Sequence, residues 1–266
     1  MTLLDHVLGL FGLTPTQVRW RWRRLREEAR QGGLLRRVGA WALPEGGYRY
    51  TGTIAAVNAV LFAAAVMIAR DPKALLGVPL PIMVRLGAWT VPHVWAGQAW
   101  RLVTSVFLHF SALHLLFNSM ALVQLAPLLE EAYGRSRFLA LYLITGVAGF
   151  LVSVWWRASG PEAFFSVGAG ASGAIFGLIG AALVLSRRGG RLSSHLRAYI
   201  VQWAVYGLVM GFLLGADNVA HVGGLLCGAL FARAVSPYRP SGRVWGAVEL
   251  LCLITVVASF GLAVLA

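Results

Sequence analysis

At 266 residues, 58% hydrophobic and only 12% charged, with a mean hydropathy of +0.72, the chain falls far below the roughly 25% charge of a soluble domain. That composition excludes an ordinary water-soluble enzyme and points to a membrane. The net charge of +13 would suit a nucleic acid, but its distribution along the chain reads as membrane topology and contact with anionic lipid, so no nucleic-acid partner is expected.

In chain order, residues 1–50 come first and are too polar to span. Trp20 and Trp22 are interleaved with arginines from Arg19 to Arg30, which fits either an interfacial helix on the cytoplasmic leaflet or a solvated basic tail. The arginines follow the short apolar stretch 7–13 instead of preceding it, the reverse of a secretory signal.

Seven apolar runs then approach the length needed to cross a hydrocarbon core of about 30 Å: 51–68, 102–128, 138–156, 170–185, 196–214, 219–234 and 244–266. The fourth and sixth are rich in Gly and Ala, and the spacing of their neighbours supports them more than their hydropathy does. The loop between the first two runs holds Pro79, Pro81, Pro92, Trp89, Trp95 and Trp100, too apolar for a solvated connection and suited to the membrane interface. The expected fold class is an all-α polytopic membrane protein, one helical bundle with the last helix attached through the linker 237–242.

Numbering these runs puts the arginines from Arg19 to Arg49, Arg135 and Arg137, those from Arg187 to Arg197, and Arg233, Arg239 and Arg243 on one side. Only Arg70, Lys73, Arg85, Arg101 and Arg157 of the 23 basic residues remain for the other. By the positive-inside rule the N-terminus is expected in the cytoplasm and the C-terminus outside. The preference for Arg over Lys, with abundant Ala, Gly and Leu, points to a bacterial cell membrane and GC-rich DNA. Cys227 and Cys252, the only cysteines, fall inside spans and read as small apolar residues; no disulfide, metal or cofactor is expected.

Polar side chains inside a bilayer are costly, and each is a functional candidate. Gly170-Ala171-Ser172-Gly173 opens the fourth span at the outer face, where a serine in the first helical turn lies beside free N–H groups and the positive end of the dipole. Alone, such a tetrapeptide is weak. Ala220-His221-Val222-Gly223-Gly224 opens the sixth span at the same face. Ala220, Gly224 and Gly228 form a small-residue stripe, answered by Gly173, Gly177 and Gly180 on the fourth span. Plain packing explains these glycines, and such packing would bring Ser172 and His221 to similar depth, where an imidazole can take a hydroxyl proton.

On the second span His114 and Asn118 are four apart and share a helical face. They suit either interhelical hydrogen bonds or donors to a developing oxyanion. His109 shares that face less well and is expected at the interface. Asp217, four residues before His221, suggests a triad by spacing, but Asp217 or Asn218 is better read as the cap of the sixth helix.

Taken together, Trp100-Arg101, His114-x-x-x-Asn118, Gly170-Ala171-Ser172-Gly173 and Ala220-His221-x-Gly223-Gly224-x-x-x-Gly228 resemble the rhomboid proteases over about residues 51–236, in order and spacing. The resemblance implies a six-helix core, an active-site cavity opening outward, and cleavage of the transmembrane segments of other proteins near the outer face. It implies a dyad without a third acid: Ser172 as nucleophile and His221 as base, with His114, Asn118 and the Ser172 N–H as the oxyanion hole. It further implies a family-typical pair in the first loop at Trp100 and Arg101 and a structural acid at Glu130. An extra seventh helix, here within 237–266, also occurs in the family. Phe176 departs from the tyrosine that many members stack on the histidine: the stacking survives and the hydroxyl is lost.

A membrane metalloprotease would need His-Glu-x-x-His, which is absent. With only Asp5, Asp71 and Asp217 as aspartates, an intramembrane aspartyl protease fails as well. A transporter is disfavoured because no inverted repeat or chain of intramembrane carboxylates occurs. The alternative from another class is a non-catalytic rhomboid-like protein that binds client transmembrane helices; such relatives usually lack the serine or the histidine, and both are present.

Overall fold

The computed structural model describes residues 49–161, 163–188, 194–237 and 242–266. The expected basic segment 1–50 therefore lies outside the described residues except for its last two, as does most of the linker before the final helix. The described chain is mostly helical: α1 (Arg49–Ala69), the short helices α2 (Leu80–Arg85), α3 (Val91–Trp95) and α4 (Arg101–Thr104), then α5 (Ala112–Tyr133), α6 (Arg135–Ala158), α7 (Ser172–Arg188), α8 (Ser194–Leu214), α9 (Asn218–Ala234) and α10 (Arg243–Leu265). The departures from an all-α chain among the described residues are a 3-10 turn at Pro72–Leu75 and a two-residue antiparallel ladder. Strand β1 (Trp89–Thr90) pairs with β2 (Val167–Gly168) in the register Trp89 to Gly168 and Thr90 to Val167.

By length and composition, α1, α5, α6 and α10 are each able to cross a membrane, so the protein is a multi-pass integral membrane protein. Helices α7 and α9 have 17 residues each, about 25 Å at 1.5 Å per residue. Their Gly- and Ala-rich sequences suit a position among other helices, and α7 is buried over most of its length. It packs chiefly on α9 and α6. Small side chains there allow close approach, whereas α10 presents Leu250, Leu251, Val257 and Val264 outward.

Helix ends leave amide groups without intrahelical partners, and here those groups join one helix to another. Glu130, 2% exposed near the end of α5, accepts from the amides of Tyr50 and Thr51 at 2.9 and 3.1 Å and from Thr51 Oγ1 at 2.7 Å. It thus ties the start of α1 to the end of α5. Gly134, with φ of 71°, turns the chain between α5 and α6.

The second apolar run does not form one helix. Its first ten residues make α4 and a buried, non-helical stretch, and α5 starts at Ala112, continues past residue 128 and ends at Tyr133. Local side chains explain the break. Thr104 Oγ1 donates to the Gly87 carbonyl at 2.6 Å and Ser105 Oγ to the Arg101 carbonyl at 2.6 Å, while Ser111 Oγ accepts from the His114 amide and caps the new helix.

The long first loop is ordered against the bundle. Arg101, 5% exposed, donates through Nη1 to the Val84 and Ala88 carbonyls at 2.5 and 3.2 Å and through Nε to Gln98 Oε1 at 2.6 Å. Its guanidinium lies 4.6 Å from the Trp100 ring centroid. This pair holds α2, α4 and the turn between them, and a charge is tolerated there because its donors are met by the Val84 and Ala88 carbonyls and the Gln98 side chain.

Candidate active site

Ser172 is the first residue of α7, where the leading N–H groups of the helix have no partner within it. Its hydroxyl lies 2.8 Å from Nε2 of His221, a residue of α9 that is only 3% exposed. The ring of Phe176, one turn along α7 from Ser172, stacks on the imidazole with centroids 4.4 Å apart and planes 5° from parallel. Phenylalanine thus keeps the face contact expected of the aromatic residue at this position.

The two helices can meet this closely because they have glycine at the crossing. A Cβ on Gly224 would collide with the Gly173 carbonyl, and one on Gly228 with the Gly177 carbonyl. The stripe on α7 is less uniform than its spacing suggests. Gly180 faces the Leu225 carbonyl on α9, but Gly177 turns its open side to Thr145 on α6, and Gly173 has ordinary room, with its nearest neighbour at 3.6 Å. Gly149 of α6 would strike the Ala220 carbonyl at 2.6 Å if it carried a Cβ, so α6 closes on the same junction.

His114 and Asn118 reach this junction through the loop before α7. Gly170, at a φ of +137° that disfavours side chains, donates its amide to the Ser105 carbonyl at 2.8 Å. A Cβ there would fall 2.8 Å from His114 Nε2 and 3.7 Å from Asn118 Nδ2. Both side chains therefore edge the strand-to-helix turn that delivers Ser172. Asn118 is 7% exposed, and its Nδ2 is buried without a hydrogen-bond partner. An unpaired buried donor typically costs about 1–3 kcal/mol, and here it borders the turn where the first free amides of α7 emerge.

His109 differs from expectation. It is 1% exposed, not interfacial, because the chain from 105 to 110 folds inward; its Nδ1 donates to the Phe107 carbonyl at 3.2 Å and its ring meets that of His114 at 5.1 Å. The ring of Phe110 lies nearly parallel to that of His114 with centroids 6.1 Å apart, so the imidazole of His114 meets two rings.

Asp217 is the N-cap of α9, its Oδ1 accepting from the Ala220 amide at 3.1 Å. Its Oδ2 accepts from Ser153 Oγ at 2.5 Å, and Arg157 stands 3.7 Å away. These contacts are to α6 and to the helix end, as a capping role requires. Asn218, considered in the sequence only as another cap, instead accepts from His221 Nδ1 at 2.9 Å. The i, i+3 spacing of Asn218 and His221 was the available signal, since residues so spaced share a helical face.

A family model of the rhomboid domain matches residues 96–238, a stretch that holds every one of these side chains. The chain belongs to the rhomboid family. It is 37% identical over 170 residues to RHOMBOID-like protein 5 of Arabidopsis thaliana, 35% over 186 residues to Rhomboid protease GluP of Bacillus subtilis and 31% over 187 residues to Rhomboid protease AarA of Providencia stuartii. These matches cover 58%, 68% and 61% of this chain, and the chain spans 50%, 35% and 64% of the respective relatives. Two of these three relatives are named as rhomboid proteases, and the chain spans less than two thirds of the length of each of the three. The rhomboid match ends before α10, so the last helix is read from its own contacts.

Proposed function

We propose that the protein is an intramembrane serine endopeptidase that cleaves transmembrane segments of other membrane proteins near the outer face. The observation that carries this reading is the 2.8 Å contact between Ser172 Oγ and His221 Nε2 at a helix N-terminus. Ser172 is the nucleophile: its proton passes to Nε2 as Oγ bonds to the scissile carbonyl carbon, and His221 returns that proton to the departing amine. Water then repeats the sequence to free the acyl group.

The developing oxyanion is stabilised by His114, Asn118 and the Ser172 N–H. The unpaired Nδ2 of Asn118 favours this over a purely interhelical role, because a donor kept ready in a water-poor site needs no reorganisation when charge develops. Helices α1 and α5 to α9 form a six-helix core over 51–236 with α10 as a seventh, the N-terminus in the cytoplasm of a bacterial cell and the C-terminus outside. Partners are substrate segments and lipid.

The purified chain in detergent, incubated with single-span substrates and with a fluorophosphonate, tests the reading. Cleavage together with labelling confined to Ser172 is expected. Binding of the segments without cleavage or labelling would leave the helix-binding role instead.

A further inference from the structure

Asn218 is held from two sides. His221 Nδ1 donates to its Oδ1 at 2.9 Å, and its own Nδ2 donates to the Leu208 backbone carbonyl on α8 at 3.1 Å. The second bond assigns the amide: nitrogen toward α8, oxygen toward the imidazole. An acceptor at Nδ1 selects the Nδ1–H tautomer of a neutral imidazole and leaves the lone pair on Nε2, the atom beside Ser172.

The same helix seats the other neighbour of the ring. A Cβ on Gly207 would come within 2.7 Å of the Phe176 ring, and one on Gly211 would collide with Asn218 Oδ1. Gly207 and Gly211 are about one turn apart, so one face of α8 touches both the residue stacked on His221 and the residue bonded to it.

We propose that Asn218 is the positioning residue of the His221 base, holding the imidazole in the Nδ1–H tautomer and coupling that tautomer to the seating of α8. This rests on the reading of Ser172 and His221 as the catalytic pair. In the attack step the Ser172 proton moves to Nε2, giving an imidazolium that keeps its Nδ1–H bond to the Asn218 oxygen. When the C–N bond breaks, the Nε2 proton leaves with the amine, and Asn218 neither gains nor loses a proton. Asp217 does not fill this place, because its oxygens are engaged by the Ala220 amide and Ser153, with Arg157 nearby. The groups whose charge bears on His221 are Asp217 at the cap of its own helix and His114 on α5. Helix α7 contributes the Ser172 hydroxyl and the Phe176 ring, α6 the Ser153 and Arg157 partners of Asp217, and α8 the Leu208 carbonyl behind Asn218.

The test is the rate of fluorophosphonate labelling of the full chain as a function of pH, for the parent, Asn218→Leu, Asn218→Asp and Ser172→Ala, with thermal unfolding alongside. Asn218→Leu is expected to label about 10- to 100-fold more slowly, part of the 10²–10⁴ that a positioned base supplies. Asn218→Asp keeps an oxygen at Nδ1, so its rate above the acid limb is expected to stay near that of the parent, while the added charge moves that limb up by about one pH unit or more; slow labelling by Asn218→Leu with rescue by Asn218→Asp is what a merely structural role would not give. If Asn218→Leu does not fold, the aspartate variant decides alone. A labelling parent with both variants at parental rate and profile would overturn this proposal by itself. A parent that labels no faster than Ser172→Ala would overturn the catalytic reading, and this one with it.

Discussion

At the scale of single residues, the site depends on a few polar groups, of which Ser172 and His221 are hydrogen-bonded to each other and Asn118 Nδ2 is unpaired. Ser172→Ala and His221→Ala are each expected to abolish proteolysis with little effect on folding, because each removes half of an activated nucleophile; substantial turnover by either purified variant would refute the assignment. Asn118→Ala tests the oxyanion proposal. Loss of one donor typically lowers the rate by about 10² to 10³, and the expected loss in kcat is somewhat smaller because His114 and the backbone remain. A normal kcat with a raised KM would instead make Asn118 a binding or packing residue. The unpaired Nδ2 of Asn118 predicts little loss of stability in the same variant, since no hydrogen bond from that atom is broken.

At the scale of elements, the contact of α7 with α9 is set by backbone, not by side chains. In Gly224→Val the new side chain would press on the Gly173 carbonyl, and overpacking of this kind costs about 1 to 3 kcal/mol. Lower thermal stability and weaker fluorophosphonate labelling are expected together. Gly261→Val on α10 adds atoms where nothing lies within 4 Å and should leave both unchanged. A Gly224→Val protein that unfolds and labels like the parent would show that close approach is not what aligns the pair.

Helix α10 is docked by a buried carboxylate. Glu249, 6% exposed, accepts from Tyr50 Oη at 2.5 Å, Arg135 Nε at 2.9 Å and Ser136 Oγ at 2.6 Å, and Phe260 meets Phe107 edge-on at 6.0 Å. Glu249→Ala leaves these donors without their acceptor. Because the Arg135 side chain is 54% exposed and can be hydrated, a loss of about 2 kcal/mol is expected, below the 3–5 of a fully buried pair. Thermal unfolding in detergent measures it, and an unchanged midpoint would mean that lipid-facing packing alone holds the helix.

At the scale of the whole molecule, the proposed topology makes a sidedness prediction. In a Cys227→Ala, Cys252→Ala background, Lys73→Cys and Ser159→Cys should react with an impermeant maleimide added to intact cells, and Arg243→Cys only after the cytoplasmic side is opened. All three positions are exposed. The opposite pattern would invert the assignment that the arginine distribution supports. Mapped product termini should then cluster at the outer end of substrate helices, in segments weakened by small residues, Gly or Pro, since a fully paired helical backbone cannot offer its carbonyl to Ser172.

Membrane residence, the motifs and the family were legible in the sequence because each depends on local pattern. Low charge and apolar runs follow from the solvent, and the pairs His114 with Asn118 and Ala220 with Gly224 follow from helical periodicity. Glu130 and Trp100-Arg101 were legible only by resemblance, and their partners came from packing. What the tertiary structure decided were contacts between distant segments. Among them are the break of the second run at Ser111, made by side-chain bonds from Thr104 and Ser105, and the burial of His109. The direction of the open side of Gly177, toward Thr145 on α6 while its carbonyl meets Gly228 on α9, belongs with them, as does the docking of α10 through Glu249. The clearest case is Asn218. In the sequence it is one of two adjacent capping residues, and only the approach of the Leu208 carbonyl from α8 fixes which end of its amide faces His221, because an amide carries a donor and an acceptor and local geometry does not choose between them.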